Sequence, residues 1–303
     1  MTSPARRSRP ATEADVARDG HRFSWLKPDR WRAGLRALVL EVDGEVAGVG
    51  RIGPNPVHPV RDMVEIEIAE AHRRRGHGTA LIRELGRYSK NPLSDKVVPG
   101  SERDLFLRPL GAVTYLEVPI LRLDVAAERT ARWCAAVREG HEGAARVVPW
   151  TDLPREQLID ALTDRYLWQH ASWSPTAPRE VIRPVVGVEF AEGAVLEHSW
   201  AVVRDGRITA LADLYDEPVG PAREGALEAV DAAAPSARAD VALCLAAWLE
   251  DLRATGVATL DFDNHPTDPH TSPLLATLDC EEVDVVRLVE IPNGITAALR
   301  DVP

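Results

Sequence analysis

The run "HRRRGHGTAL", residues 72–81, sets three arginines and two glycines directly in front of an apolar, helix-like segment, in a chain whose formal net charge is −11. The residues before it, "DMVEIEIAE" (62–70), alternate. Val64, Ile66 and Ile68 fall on one face and Glu65 and Glu67 on the other, the period of a half-buried strand. In "TALIRELGRY" (79–88), Leu81, Ile82 and Leu85 follow at helical spacing, with His77 or Thr79 near the start. The order is strand, glycine-rich turn, helix. Such a junction leaves the first backbone N–H groups of the helix without acceptors and aims them at one spot, which suits a phosphate. Gly76 and Gly78 carry no side chain to obstruct an anion, and Arg73, Arg74 and Arg75 can add charge-assisted bonds. A pyrophosphate fits. The Lys-Ser/Thr pair of a P-loop and the first glycine of GxGxxG are both missing, so neither a nucleoside triphosphate nor a dinucleotide is the preferred guest.

Upstream, "RALVLEVDGEVAGVGRIG" (36–53) predicts a hairpin turning at Asp43-Gly44. Downstream, "KNPLSDKVVPG" (90–100) reads as a Pro-rich break, "SERDLFLRPLGA" (101–112) as a short helix, and "VTYLEVPILRLDV" (113–125) as a strand pair. An Ala/Arg/Glu-rich helix over about 125–145, ending near Gly140 or Gly143, marks a boundary. The second half repeats the order. A hairpin turns at Asp205-Gly206 within 198–215, "GALEAVDA" (225–232) is a strand, a long helix over 238–256 stops at Gly256, and strands follow at 257–264 and 281–291.

At 303 residues the chain is long enough for two domains. Cys134, Cys244 and Cys280 lie too far apart for a zinc ribbon or a disulfide framework and are expected to be buried, reduced thiols. No apolar run approaches the roughly 18 residues of a membrane span, and the N-terminal stretch has no apolar core of a secretory signal, so the cytoplasm is the expected location. The acidity disfavours nucleic acid and anionic membranes and favours small cationic guests. The chain is expected to be a monomer or homodimer. "DFDNHPTDPH" (261–270) looks like a metal loop, but Pro266 and Ser272 stand where an EF-hand needs glycine and glutamate, so it is expected to be structural and no metal is expected. Trp168, His170 and Trp173 are expected mainly in core and interface.

"RRRGHG" (73–78) resembles the R/Q-x-x-G-x-G/A motif of the GNAT superfamily of N-acetyltransferases, with Arg73, Gly76 and Gly78 on its positions, and "GSERDLFLRPLGA" (100–112) resembles that family's later helix, with Leu110-Gly111-Ala112 for its L-G-F ending. The resemblance covers about 30–125. It implies an α/β fold of two tandem GNAT-like domains, each a mixed, mostly antiparallel twisted sheet flanked by helices. The first, residues 1–135, would bind acetyl-CoA through the backbone of Ile66 and Ile68 and the loop of Arg73, Arg74, Arg75, Gly76, His77, Gly78 and Thr79. The second, 136–303, would be a degenerate copy, since Pro235, Arg238 and Asp240 stand at the motif positions and Asn264 and the following helix keep only the later order. The implied reaction is acetyl transfer to a primary amine of a small cationic molecule by direct attack. Glu65 and Glu67, on the strand beside the acyl group, are the candidate bases. His72 and His77 flank the arginines, which depress their basicity. Leu107 occupies the place where many members carry a tyrosine that protonates the departing thiolate. That substitution leaves a non-catalytic acyl-CoA-binding or scaffold protein of the same fold as the alternative.

Overall fold

Asp43 and Gly44 both adopt positive φ, 51° and 86°, and close the hairpin of β2 (Arg36–Val42) and β3 (Glu45–Pro54). The computed structural model describes residues 6–141, 145–216, 222–263 and 265–292. They divide into one unit of residues 1–116 and 287–303 and a second of residues 117–286.

In the first unit β1 (Arg6–Pro10) pairs with β2, β3 with β4 (Asp62–Ile68), and β4 in parallel with β5 (Leu93–Val97). α1 (Glu13–Asp19) starts at a capping box made by Thr12 and Asp15. It lies with the stretch after it on one face, where Phe23, Leu26, Val39 and Val49 are buried. α2 (His77–Gly86) and α3 (Glu102–Leu107) cover the other, where Leu81, Ile82 and Leu85 pack on Leu38, Leu40, Val64 and Leu93. The expected break at 90–100 contains β5. Pro92 and Pro99 confine that strand to five residues, too short for a periodic signal.

The second unit begins within β6 (Val113–Asp124), one strand where two were expected. Pro119 is tolerated because pairing with β11 (Thr259–Asp263) begins only at Ile120. After α4 (Glu128–Glu139) come β7 (Arg146–Pro149), α5 (Arg155–Ala171), α6 (Arg179–Ile182), α7 (Val188–Gly193), β8 (Trp200–Arg204), β9 (Arg207–Leu214), β10 (Arg223–Ala229), α8 (Ala237–Ala254), β11 and α9 (Thr271–Leu275). The sheet runs β6-β11-β10-β9-β8-β7, with β10 and β11 parallel. The order β8, β9, β10, α8, β11, α9 repeats β2, β3, β4, α2, β5, α3.

Division at 135/136 was expected, and the compact units divide elsewhere. That boundary would cut α4, yet α4 sends Trp133, Cys134 and Val137 together into the cluster built on α8, so the whole helix belongs to the second unit. β12 (Glu281–Ile291) goes the other way: Arg287–Ile291 pair antiparallel with Val97–Leu93 of β5. The helix expected near 125–145 stops at Gly140, and Gly143 and Asn264 lie outside the described residues.

Candidate coenzyme and active site

β4 pairs with β3 along its whole length but with β5 only at Asp62↔Leu93 and Met63↔Ser94. Beyond Met63 the two parallel strands separate. Asp62 N–H donates to Pro92 O on the β5 side and Ala69 N–H to Ala47 O on the β3 side. The alternation of a strand then turns the backbone groups of even-numbered residues, Val64, Ile66 and Ile68, toward the gap. The side chains of Ile66 and Ile68 pack on the α2 core. Their strand contacts to a ligand are therefore available as backbone.

The loop after Ile68 is built for close approach. Ala69 enters a one-turn 3-10 helix at Glu70–His72. Arg74 and Gly76 then take left-handed φ of 59° and 78° with Arg75 between them on the ordinary side, and such alternation turns successive N–H groups toward one concavity. A Cβ on Gly76 would meet nothing within 4 Å, so its glycine answers to backbone conformation. Gly78 answers to packing, since a Cβ there would sit 3.0 Å from Phe106 of α3. The first helical bond is Ala80 N–H to Gly76 O, which leaves the N–H groups of His77, Gly78 and Thr79 without helical acceptors.

The arginines divide their roles. Arg73 donates to Ile68 O (3.1 Å) and to Glu102 (2.8 Å), bracing the loop against β4 and α3, while Arg74 and Arg75 are exposed. The His77 ring is buried, 5% exposed, with its centroid 6.0 Å from that of His72. Burial first, then Arg6, His72 and Arg75, hold its basicity below the ordinary imidazole value. The ring is neutral, and its contribution to the loop is its backbone N–H.

Glu65 and Glu67 lie on the face opposite α2. Glu65 forms an ion pair with Arg51, directly across on β3, and the Arg51 guanidinium sits over Trp25 at 4.5 Å. Glu67 accepts a 2.8 Å bond from Ser24 N–H. Leu107 is core, 3% exposed. Sequence reasoning missed one pair in the gap: Asp95 of β5 and Arg103 of α3 form an ion pair, and Arg103 also reaches Val64 O at 3.5 Å. Burial raises the Asp95 carboxyl to about 6 against the pull of Arg103.

The sequence model of the acetyltransferase (GNAT) family matches residues 8–97. The match lies within the N-terminal unit. No curated protein matches the chain. Among solved structures, a tandem GNAT protein from the clavulanic acid biosynthesis pathway is 19% identical, with 96% of this chain and 99% of that one covered at a TM-score of 0.58. A GCN5-related N-acetyltransferase from Sphaerobacter thermophilus is 12% identical over 95% and 96%, with a TM-score of 0.58. A conserved protein of unknown function from Enterococcus faecalis V583 is 11% identical over 97% and 74%, with a TM-score of 0.62. These likenesses establish the fold of the whole chain, an α/β tandem GNAT arrangement.

The second GNAT-like unit keeps the splay of its parallel strands, since β10 pairs with β11 only over Arg223–Gly225. Its gap is filled from within. Thr271 Oγ1 donates to Leu227 O (2.7 Å), Trp168 Nε1 to Ala229 O (3.0 Å), and His270 Nε2 lies 2.8 Å from Ala232 O. Asp240, in the first turn of α8, is fully buried and paired with Arg204, whereas Arg238 is exposed. The obstacle there is thus an acid on the helix terminus and occupied strand carbonyls, not a crowding Arg238. Asp261 pairs with Arg122, and Asp268 caps His270 and Thr271, so these two acids of the metal-like loop have structural partners. Among the described residues no group of three potential metal ligands occurs, and no helix is long and apolar enough to cross a membrane. Cys134 and Cys244 are buried, while Cys280 is only half-buried. Calorimetric titration of CoA into the intact chain is expected to give one site, kept in Arg238→Ala; two equivalent sites would mean the second gap opens in solution.

Proposed function

We propose that the N-terminal GNAT unit transfers the acetyl group of acetyl-CoA to a primary amine of a small, cationic molecule. The observation that carries this is the unpaired stretch of β4 leading straight into the uncapped N-terminus of α2. The pyrophosphate would rest on the N–H groups of His77, Gly78 and Thr79, with Arg74 and Arg75 adding charge. The pantetheine arm, an amide-containing chain, would add itself to the β4 edge at Ile66 as a strand would, and would displace Arg73 from Ile68 O to extend the pairing there. A backbone N–H of β4 would polarise the thioester carbonyl, the amine nitrogen would attack its carbon, and the C–S bond would break on collapse.

The acceptor would approach from the face carrying Trp25, Glu65 and Glu67, an acidic and aromatic surface suited to an ammonium. Of the two carboxylates, Glu67 is the one proposed to take the proton, because the Glu65 carboxylate is engaged by Arg51. The CoA thiolate would take its proton from water or from the proton that the attacking nitrogen sheds as the amide forms, since Leu107 has none to give. Replacing Glu67 by Gln is expected to lower kcat about 100-fold near neutral pH, with a smaller loss at alkaline pH where free amine is abundant and with CoA affinity unchanged. Full activity across pH would show that the acceptor arrives deprotonated.

Leu107 also favours a second reading, a CoA-binding protein without catalysis. Thiol release from enzyme, acetyl-CoA and a panel of amines separates the two: release above the amine-free rate supports the transferase, and CoA binding with no release supports the binder. If the acceptor is a cation steered by the chain's charge, raising salt to about 0.1 M, where the Debye length is about 10 Å, will lower kcat/KM.

A further inference from the structure

A CoA arm that starts at the α2 N-terminus and follows the open edge of β4 travels from Ile68 toward Val64, about 13 Å of strand. Its acyl end arrives where β4 and β5 converge, one residue short of the last pair, Met63↔Ser94. The gap is closed there. Arg103 leaves α3, donates through Nε to Asp95 on β5 and through Nη2 to Val64 O on β4, and so spans both strands. A narrow crevice at this point is walled by Val64, Ile66, Ile82 and Phe106, with the Asp95–Arg103 pair as its polar end.

We infer that the Asp95–Arg103 pair is the floor of the acyl subsite and restricts the donor to short, uncharged acyl groups, acetyl above all. This rests on the coenzyme reading given above. The apolar walls suit a methyl group. A longer chain continuing in the same direction must part the pair and strand the Asp95 carboxylate, whose side chain is only 13% exposed, beside hydrocarbon. An acyl group ending in carboxylate gains nothing, because the Arg103 charge is already matched by Asp95. The restriction comes from breaking an existing interaction and not from lack of apolar surface.

The test is calorimetric binding of free CoA, acetyl-CoA and hexanoyl-CoA, which needs no acceptor. The unaltered protein is expected to bind acetyl-CoA at least about 30-fold more tightly than hexanoyl-CoA, and Arg103→Ala to narrow the ratio to within about three-fold while still binding free CoA. Leu105→Ala, at an exposed position of the same helix, is expected to keep the preference. Asp95→Ala, which removes the other half of the floor, is expected to behave as Arg103→Ala. Equal affinity for the two thioesters in the unaltered protein, or a preference that survives both alanine variants, overturns the floor and leaves the coenzyme site standing. Failure of the unaltered protein to bind free CoA overturns the coenzyme site and the floor with it.

Discussion

Gly76→Asp is expected to weaken CoA binding by about three orders of magnitude without unfolding the protein. A carboxylate placed about 4 Å from a phosphate costs on the order of 4 kcal/mol at an effective dielectric of 20, before loss of any N–H contact. The position isolates that effect well. A Cβ there meets no atom within 4 Å, and the φ of 78° is a conformation that aspartate tolerates better than most side chains. Gly44, with φ of 86° and equally open surroundings, is the matched control: Gly44→Asp carries the same backbone cost and should leave CoA affinity unchanged. Gly78→Asp is the poorer probe, because contact with Phe106 would disturb the packing of α2 on α3. Unchanged affinity in a folded Gly76→Asp protein would remove the anion site from the α2 terminus.

Arg165→Ala is expected to cost about 3–5 kcal/mol of stability, read as a lower urea midpoint. Arg165 and Asp213 are each 2% exposed and 2.5 Å apart, and Arg165 Nε lies 3.2 Å from Glu228. Two carboxyl groups thus share one guanidinium inside the second unit, and Gln169 donates to the other oxygen of Glu228. Burial pushes Glu228 up to about 8, against the pull of Arg165, so near neutral pH it is mostly the protonated partner of the trio. The folded state therefore holds a proton that the unfolded chain releases at an ordinary carboxyl value. Stability from this group is full in acid and is lost as pH rises toward and through 8. Glu228→Gln should flatten that decline, which runs from the ordinary carboxyl value of 4.5 up to about 8 and levels off above it, and an unchanged pH profile would show that Glu228 is ionised in the fold.

The parts of this architecture that were legible are those fixed by neighbouring residues. Asp43-Gly44 and Asp205-Gly206 announced their hairpins because the left-handed turn is a property of the two residues that make it. The glycine-rich turn before α2 was legible for the same reason, since Gly76 takes the left-handed conformation. β5 was missed because five residues between prolines carry no period, and with it went the second wall of the gap. Gly78 was singled out for access of an anion, and the structure gives it a packing reason, since its neighbour Phe106 lies on another helix. Arg73 looked like an anion ligand and is a brace, because its partners Ile68 O and Glu102 are assembled only by the fold. The Asp95–Arg103 pair and the return of β12 to the first unit depend on long-range pairing, on which local pattern is silent.

The return of β12 bears on the order in which the protein can be made. β5 has only two paired positions on its β4 side, so Arg287–Ile291 supply the ladder for the rest of that strand. A ribosome must therefore translate the whole second unit before the first can finish its sheet, and the nascent first unit waits with an unpaired edge beside its ligand gap. At about 5–20 residues per second, the stretch from residue 97 to residue 291 corresponds to roughly 10–40 s of exposure. A chain terminated within the second unit would release a first unit whose motif is intact and whose gap lacks one supporting wall. A coenzyme site built on this gap would in this sense be completed late in synthesis, once the last of the described strands has paired.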